Sequence, residues 1–240
     1  MTMKNKEIVE EIKKIVEKEM EGADPSHDFL HVMRVYNLCL KIAKYEQNVD
    51  LEVLKLAALL HDIARLKEDF DETGKIRHEM EGAKMAEEIL TKFNFSKEKI
   101  KRIKECIISH RFRGNNEPKT IEAKILFDAD KLDVIGATGI ARTFISAGMY
   151  KQKIHRDIDI NEYVKENLEG GRKNGRIINL RKHSPNLEFE TKFKYIPEKL
   201  YTKIGKELGL ERIEYMKKFF ERLKKEINGE PNFKVRHSYF

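Results

Sequence analysis

The residues able to do chemistry in this chain are imidazoles and carboxylates, and they recur at helical spacings. His61-Asp62 sits in the run Leu56-Ala57-Ala58-Leu59-Leu60-His61-Asp62-Ile63-Ala64, which is otherwise apolar. A carboxylate in such a run is costly to bury unless it is paired or bound to a metal. Upstream, His27, His31 and Arg34 are spaced to share one helical face. Downstream, Asp130 and Asp133 share a face within Asp128-Ala129-Asp130-Lys131-Leu132-Asp133, with Lys131 between them. Imidazole and carboxylate without thiolate form the donor set of a catalytic divalent transition metal, not of a structural zinc site. His31, His61, Asp62 and Asp130 would join three helices around such an ion, as bundle cores do. The ion would lower the pKa of a bound water from 15.7 toward about 7, and neighbouring Arg and Lys side chains would hold an anionic substrate. Taken singly, each residue has a plainer reading: His31 as a satisfied core histidine, Asp130 as a surface carboxylate, Arg34 and Lys131 as ion-pair partners. The metal reading rests on the set.

Helical periodicity dominates the elements that must position this set. Ile8, Ile12, Ile15 and Val16 mark a first amphipathic helix ended by Gly22. Asp24-Pro25 predicts the start of a second, with Asp24 as N-cap and Pro25 in the first turn, carrying His27, His31 and Arg34. Asp50 predicts the cap of a third helix running through Leu66, apolar nearly all round and therefore central in a bundle. The charged stretch 67–77 reads as a loop, followed by helices from His78 to Phe93, from Ser96 to His110, and from Thr120 to about Val134. A polar loop is expected over 111–119, and a further helix to Tyr150. The stretch 151–185 reads as a long, irregular, basic excursion with one short helix near 160–168. A strong amphipathic helix is expected from about Leu210 to Ile227, stopped by Asn228-Gly229, and the tail 232–240 reads as weakly ordered. The fold class is all-α. One domain is expected over 1–240, with a metal-site core at about 24–150, the excursion at 151–185 and C-terminal helices at 197–228.

Composition narrows the function classes. Hydrophobic residues are 40% and charged residues 37% of the 240, so the chain is globular with a heavily charged surface. No apolar run approaches the ~20 residues that span a bilayer. The first twenty residues lack a signal-peptide core. Cys39 and Cys106 fall at apolar helical positions, so free buried thiols are expected, and with them a cytoplasmic, membrane-independent protein. The net charge of +7 is compatible with phosphate-bearing partners, but a Lys- and Glu-rich surface with two glutamines accounts for it without nucleic acid.

The order His31, then His61-Asp62, then Asp130 resembles the HD superfamily of metal-dependent phosphohydrolases. The flanks extend the resemblance. His27-Asp28-Phe29-Leu30-His31-Val32-Met33-Arg34-Val35 is similar to the first-helix motif of its small bacterial and archaeal hydrolase branch, and Ala57-Ala58-Leu59-Leu60-His61-Asp62-Ile63 to the doublet helix. Glu122 through Asp133 resembles the closing motif, and Gly139-Ile140-Ala141-Arg142-Thr143-Phe144 the stretch after it. The resemblance covers roughly residues 20 to 228. It implies an all-helical fold with His31, His61, Asp62 and Asp130 as ligands to one divalent metal (Mn, Co, Ni, Mg or Fe).

Binuclear members of the superfamily add histidines between the doublet and the final aspartate. His78 and His110 fall there, and in that arrangement Asp62 would bridge two ions. In the mononuclear arrangement they would stand behind the ligands or bind phosphate. The resemblance also implies hydrolysis of a nucleotide or related phosphate by a metal-activated water. Asp62 would bind metal and orient that water, and Arg34, Lys131 and Arg142 would hold phosphate. His27 or Asp133 would orient water or transfer protons. Arg172, Lys173, Arg176, Arg181 and Lys182 of the excursion read equally as a lid over phosphates and as a solvated loop. The alternatives are a catalytically silent metal- or nucleotide-binding regulatory module, and a nucleic-acid binder using the basic excursion 151–182. His155, His183 and His237 have no comparable company and read as surface residues.

Overall fold

The structure, a computed structural model, describes residues 3–111 and 116–231. Residues 112–115 of the expected polar loop and the tail 232–240, with His237, lie outside the described residues. Helices make up the described residues apart from turns and one isolated antiparallel bridge, Leu168 to Ile177. The chain divides into two compact units. Residues 1–133 and 199–207 form the first, and residues 134–198 and 208–240 the second.

The first unit contains α1 (Met3–Glu19), α2 (Phe29–Ala43), α3 (Leu51–Leu60), α4 (Arg65–Asp69), α5 (His78–Lys92), α6 (Lys97–Ser109) and α7 (Ile121–Asp133). α3 is its hub and packs on α1, α2, α5, α6 and α7. Val53, Leu54, Leu56, Ala57, Ala58, Leu59 and Leu60 are all fully buried, as the all-round apolar pattern requires. Asp50 caps α3 by accepting the Glu52 and Val53 amides, and Ser96 caps α6 by accepting the Lys99 amide.

Two helix boundaries differ from the sequence reading. Asp28, not Asp24, caps α2, accepting the His31 amide at 3.0 Å. Asp24 instead accepts the Ser26 amide in a turn at 2.6 Å. His27 therefore lies in the turn before α2, off the helical face assigned to it. α3 also stops at Leu60, and α4 starts afresh at Arg65. Between them the His61 ring nitrogen, not a backbone amide of a continuing helix, donates to the Ala58 carbonyl at 2.8 Å. The His61-Asp62 doublet thus occupies a turn.

On α7, Asp128 is fully buried and accepts three hydrogen bonds, from the Tyr201 amide (2.8 Å), the Thr202 amide (2.7 Å) and the Thr202 hydroxyl (2.6 Å). Thr202 in turn accepts the Gly205 amide. A Cβ at Gly205 would lie 2.5 Å from Asp128 Oδ2, so this approach requires glycine. Cys39 and Cys106 are buried and free, as expected.

The second unit contains α8 (Gly136–Met149), α9 (Ile160–Asn167), α10 (Pro185–Thr191), most of α11 (Ile196–Lys199), and all of α12 (Lys203–Ile227) beyond Glu207. Tyr163, Val164, Leu168 and Leu187 form a small core, and the Phe189 and Phe220 rings pack 5.1 Å apart. The excursion is more ordered than its polarity suggests. Asp159 caps α9, and Asn167 brackets residue 179 from both sides, accepting its amide and donating to its carbonyl. His183, expected at the surface, is buried: its Nδ1 meets the Tyr163 hydroxyl at 2.5 Å and its Nε2 meets Glu188 at 2.8 Å. The last helix starts at Lys203, within the 197–228 stretch expected to be helical and two turns before the strongly amphipathic part at Leu210, with Thr202 accepting the Gly205 amide at its start. It ends before Gly229, whose φ is +71°.

Candidate metal centre

Five elements of the first unit deliver side chains to one buried cluster. α2 brings His31, the turn after α3 brings His61 and Asp62, the first residue of α5 is His78, His110 follows α6, and α7 brings Asp130. All six are less than a tenth exposed.

Asp62 lies at the centre. Its Oδ2 is 3.6 Å from His31 Nε2 and 3.7 Å from His61 Nε2. Its Oδ1 is 3.5 Å from His78 Nε2 and 3.4 Å from His110 Nε2. The paired Nε2 atoms are 3.4 Å apart for His31 and His61, and 3.3 Å for His78 and His110. Two triads result, His31–His61–Asp62 and Asp62–His78–His110, and in each the donor atoms lie within 4.8 Å of one another. Asp130 borders the first triad, with Oδ1 3.5 Å from His31 Nε2.

The outer ring nitrogens explain why Nε2 faces inward. His61 Nδ1 donates to Ala58 O at 2.8 Å and His110 Nδ1 to Ile107 O at 2.5 Å. His31 Nδ1 donates to Asp133 Oδ2 at 2.7 Å, and His78 Nδ1 to Glu68 Oε2. With Nδ1 protonated, two neutral imidazoles present lone pairs to each other through Nε2, and no hydrogen bond joins them. A cation between the lone pairs resolves that repulsion. Tetrahedral ligands at metal–nitrogen distances of 2.0–2.1 Å stand about 3.4 Å apart, so the observed spacings of 3.3–3.7 Å fit a small divalent ion in each triad.

Electrostatics agree with the donor set. Burial pushes the His61 imidazole down to about 4, partly opposed by Asp62, which keeps the ring neutral. Burial alone would raise Asp62, but the surrounding imidazoles outweigh it and hold the carboxyl well below the ordinary range. Asp130 is likewise held well below that range, against burial, chiefly by Lys131 and His31.

The remaining predicted site residues are placed as follows. Lys131 Nζ donates to Asp130 Oδ2 at 2.5 Å. Arg34 grips Asp133 with two bonds, Nε to Oδ1 at 2.8 Å and Nη2 to Oδ2 at 3.1 Å, so the pair stands behind His31. The His27 ring packs edge-on 5.9 Å from that of His31. Arg142 is buried on α8 of the second unit. Sequence reading missed Arg65, Glu68, Glu79 and Arg111. Arg65 is paired with Glu68 and Asp69, and Arg111 bridges Glu68 and Glu79. A charged run read as a loop concealed Glu68, although its spacing from Arg65 is helical.

The model of the HD domain family matches residues 28–135, a span holding all six residues of the cluster. Residues 28–135 are thus an HD domain by their match to that family's model. A predicted HD superfamily hydrolase from an uncultured Thermotogales bacterium is 27% identical with a TM-score of 0.60, covering 90% of this chain and 91% of that one. The uncharacterized protein YpgQ of Bacillus subtilis is 29% identical over 231 residues, which is 95% of this chain and 97% of YpgQ. A crystal structure of YpgQ in complex with ADP superposes with a TM-score of 0.68 at 27% identity, covering 93% of this chain and 97% of that one. The HD domain match accounts for the order of the motifs across residues 28–135.

Proposed function

We propose that this HD-superfamily protein is a metal-dependent phosphohydrolase acting on nucleotides or related phosphates. The observation that carries the reading is Asp62, whose two carboxylate oxygens each face a separate pair of inward-directed imidazoles. His31, His61, Asp62 and Asp130 would hold one divalent ion, and Asp62, His78 and His110 a second, with Asp62 bridging. Bound there, such ions supply Lewis acidity toward a phosphoryl oxygen and lower the pKa of water.

The protein's own groups have distinct tasks in this proposal. Asp133 already accepts from His31 and from Arg34, so its task is to orient the His31 ring, and Arg34 fixes Asp133. Lys131 lies on Asp130 and is the ammonium placed to meet a phosphate that reaches the site. His27, beside His31 but outside the converging set, is assigned to proton transfer. The YpgQ complex with ADP supports a nucleotide as the phosphate carrier.

The test is an assay of nucleoside mono- and triphosphates, their deoxy forms and cyclic nucleotides, with Mn, Co, Ni, Mg and Fe supplied in turn. His61→Ala and Asp62→Ala should each lower kcat at least about a hundredfold, since losing even an outer partner of a metal ligand costs 10–100-fold. Their helical circular dichroism should match the wild type. Wild-type rates in either variant, or no turnover of any phosphate with any of the metals, would sink the proposal.

A further inference from the structure

The two triads are built alike beyond their donor atoms. Each contains one histidine steadied by a backbone carbonyl three residues earlier in its own chain: His61 on Ala58 and His110 on Ile107. Each contains a second histidine steadied by a carboxylate from elsewhere: His31 on Asp133 and His78 on Glu68. Each carboxylate is held in turn by a guanidinium. Arg34 grips Asp133 with two bonds. Arg111 Nη2 donates to Glu68 Oε1 at 3.0 Å while its Nη1 donates to Glu79 Oε2 at 2.6 Å, and Arg77 donates to the other oxygen of Glu79. Glu79 is fully buried, so the chain Glu79–Arg111–Glu68–His78 is anchored in the interior.

A histidine is a defined ligand only when its outer nitrogen has a fixed partner, because that partner selects the tautomer and the ring orientation. Backbone carbonyls do this for His61 and His110 whatever the surrounding side chains are. His78 depends on Glu68. An ionised carboxylate offers acceptors only, and Glu68 lies much closer to His78 Nδ1 than does the donor Arg65 Nη1 at 3.4 Å, so the Glu68 contact puts the proton on Nδ1 and leaves Nε2 to face Asp62 and His110. Both oxygens of Glu68 are engaged, Oε2 by His78 and by Arg65 Nη1 at 3.3 Å, and Oε1 by Arg111. An amide, with one acceptor oxygen, cannot serve these donors together.

The geometry points to Glu68 as a positioning residue that commits His78 to a metal through Nε2, and so sets the affinity of the His78–His110 position independently of the His31–His61 position. This inference rests on the two-metal form of the proposed function. Within that form it assigns control of the second ion to side chains that touch neither metal nor substrate.

The experiment titrates metal-stripped protein with Mn²⁺ and with Zn²⁺ by calorimetry, checked by elemental analysis, in the wild type, Glu68→Ala, Glu68→Gln and Asp133→Asn. In parallel, nitrogen-15 NMR of the histidine rings in the metal-free proteins reads which nitrogen of His78 is protonated. The wild type should bind two equivalents and show a His78 Nδ1–H resonance at low field. Glu68→Ala should lose that resonance and bind the weaker equivalent about 10–100-fold less tightly, with the other equivalent unchanged. Glu68→Gln keeps shape and volume, guards against a folding defect, and should weaken the same equivalent. Asp133→Asn should weaken the opposite one. An undiminished second equivalent in both Glu68 variants, or a wild-type His78 without a proton on Nδ1, overturns the inference. A wild type that binds one equivalent at any concentration overturns the two-metal form, and the metal-free NMR signal still judges the Glu68–His78 pairing on its own.

Discussion

Replacing Asp128 with alanine tests how α7, which carries Asp130, is held. The carboxylate accepts the Thr202 amide, the Thr202 hydroxyl and the Tyr201 amide, all within 2.8 Å. Thr202 is buried, so its two donors lose their acceptor with no access to water. Hydrogen bonds to a charged group contribute about 1.5–3 kcal/mol each, which places the loss from those two at roughly 3–6 kcal/mol. Tyr201 is partly exposed and its amide regains water, so it adds little. Removing the buried group returns desolvation of about 1–3 kcal/mol on the scale of buried polar groups. The net expectation is a loss of about 2–4 kcal/mol, read by urea unfolding under far-UV circular dichroism.

The pH dependence has a definite sign. Burial pushes the Asp128 carboxyl above its ordinary 3.8, against the bonds from Thr202 and Tyr201. An acid raised in the fold holds its proton more tightly there. Its titration therefore supports stability most below the unfolded value and withdraws that support as pH rises through the folded value. The penalty of Asp128→Ala should accordingly shrink between acid and neutral pH. A loss under about 1 kcal/mol at every pH would refute the reasoning, because it would mean that Thr202 finds other partners.

Two further outcomes follow from packing. Gly205→Ala should cost about 1–3 kcal/mol by overpacking, since its Cβ would lie 2.5 Å from Asp128 Oδ2 and 2.6 Å from Thr202 Oγ1. Gly148→Ala, with nothing within 4 Å of the added carbon, should be neutral or gain up to about 1 kcal/mol, and equal melting shifts for the two would contradict this account. Burial pushes the Cys106 thiol up to about 12 and Cys39 well above its ordinary range, so neither should react with a thiol-specific dye at pH 8 until urea unfolds the chain. Labelling of the native protein at either position would contradict the burial described.

What could be read from the sequence was what depends on local pattern. The apolar run before His61 identified the central helix, and Asp50 and Ser96 marked their helix starts because an N-cap acts on amides two or three residues away. The cluster itself was legible because its members fall in ordered motifs of known kind. Asp24 and Asp28 compete for the same helix start, and a sequence pattern does not say which one bonds the first amides. The break between Leu60 and Arg65 was hidden because the apolar pattern continues through it. Glu68, Glu79 and Arg111 were missed for a different reason. Their meaning lies in pairings across 10 to 43 positions, and a charged residue on a charged surface carries no mark of such a partner. His183 failed in the same way, since Tyr163 and Glu188 make it a buried residue only after the chain folds back.

The first unit borrows residues 199–207 from between the two segments of the second unit. During synthesis the segment matched by the HD family model, residues 28–135, emerges complete with all six residues of the His/Asp cluster. Asp128 meets Tyr201 and Thr202 only some seventy residues later. At about 5–20 residues per second that is a wait of several seconds, during which Asp128, on the helix bearing Asp130, lacks its Tyr201 and Thr202 donors. A fragment cut to the boundaries of the family match would keep this defect permanently. The boundary of the recognisable motif and the boundary of the compact unit are therefore different places in this chain, and residues 199–207 mark the difference.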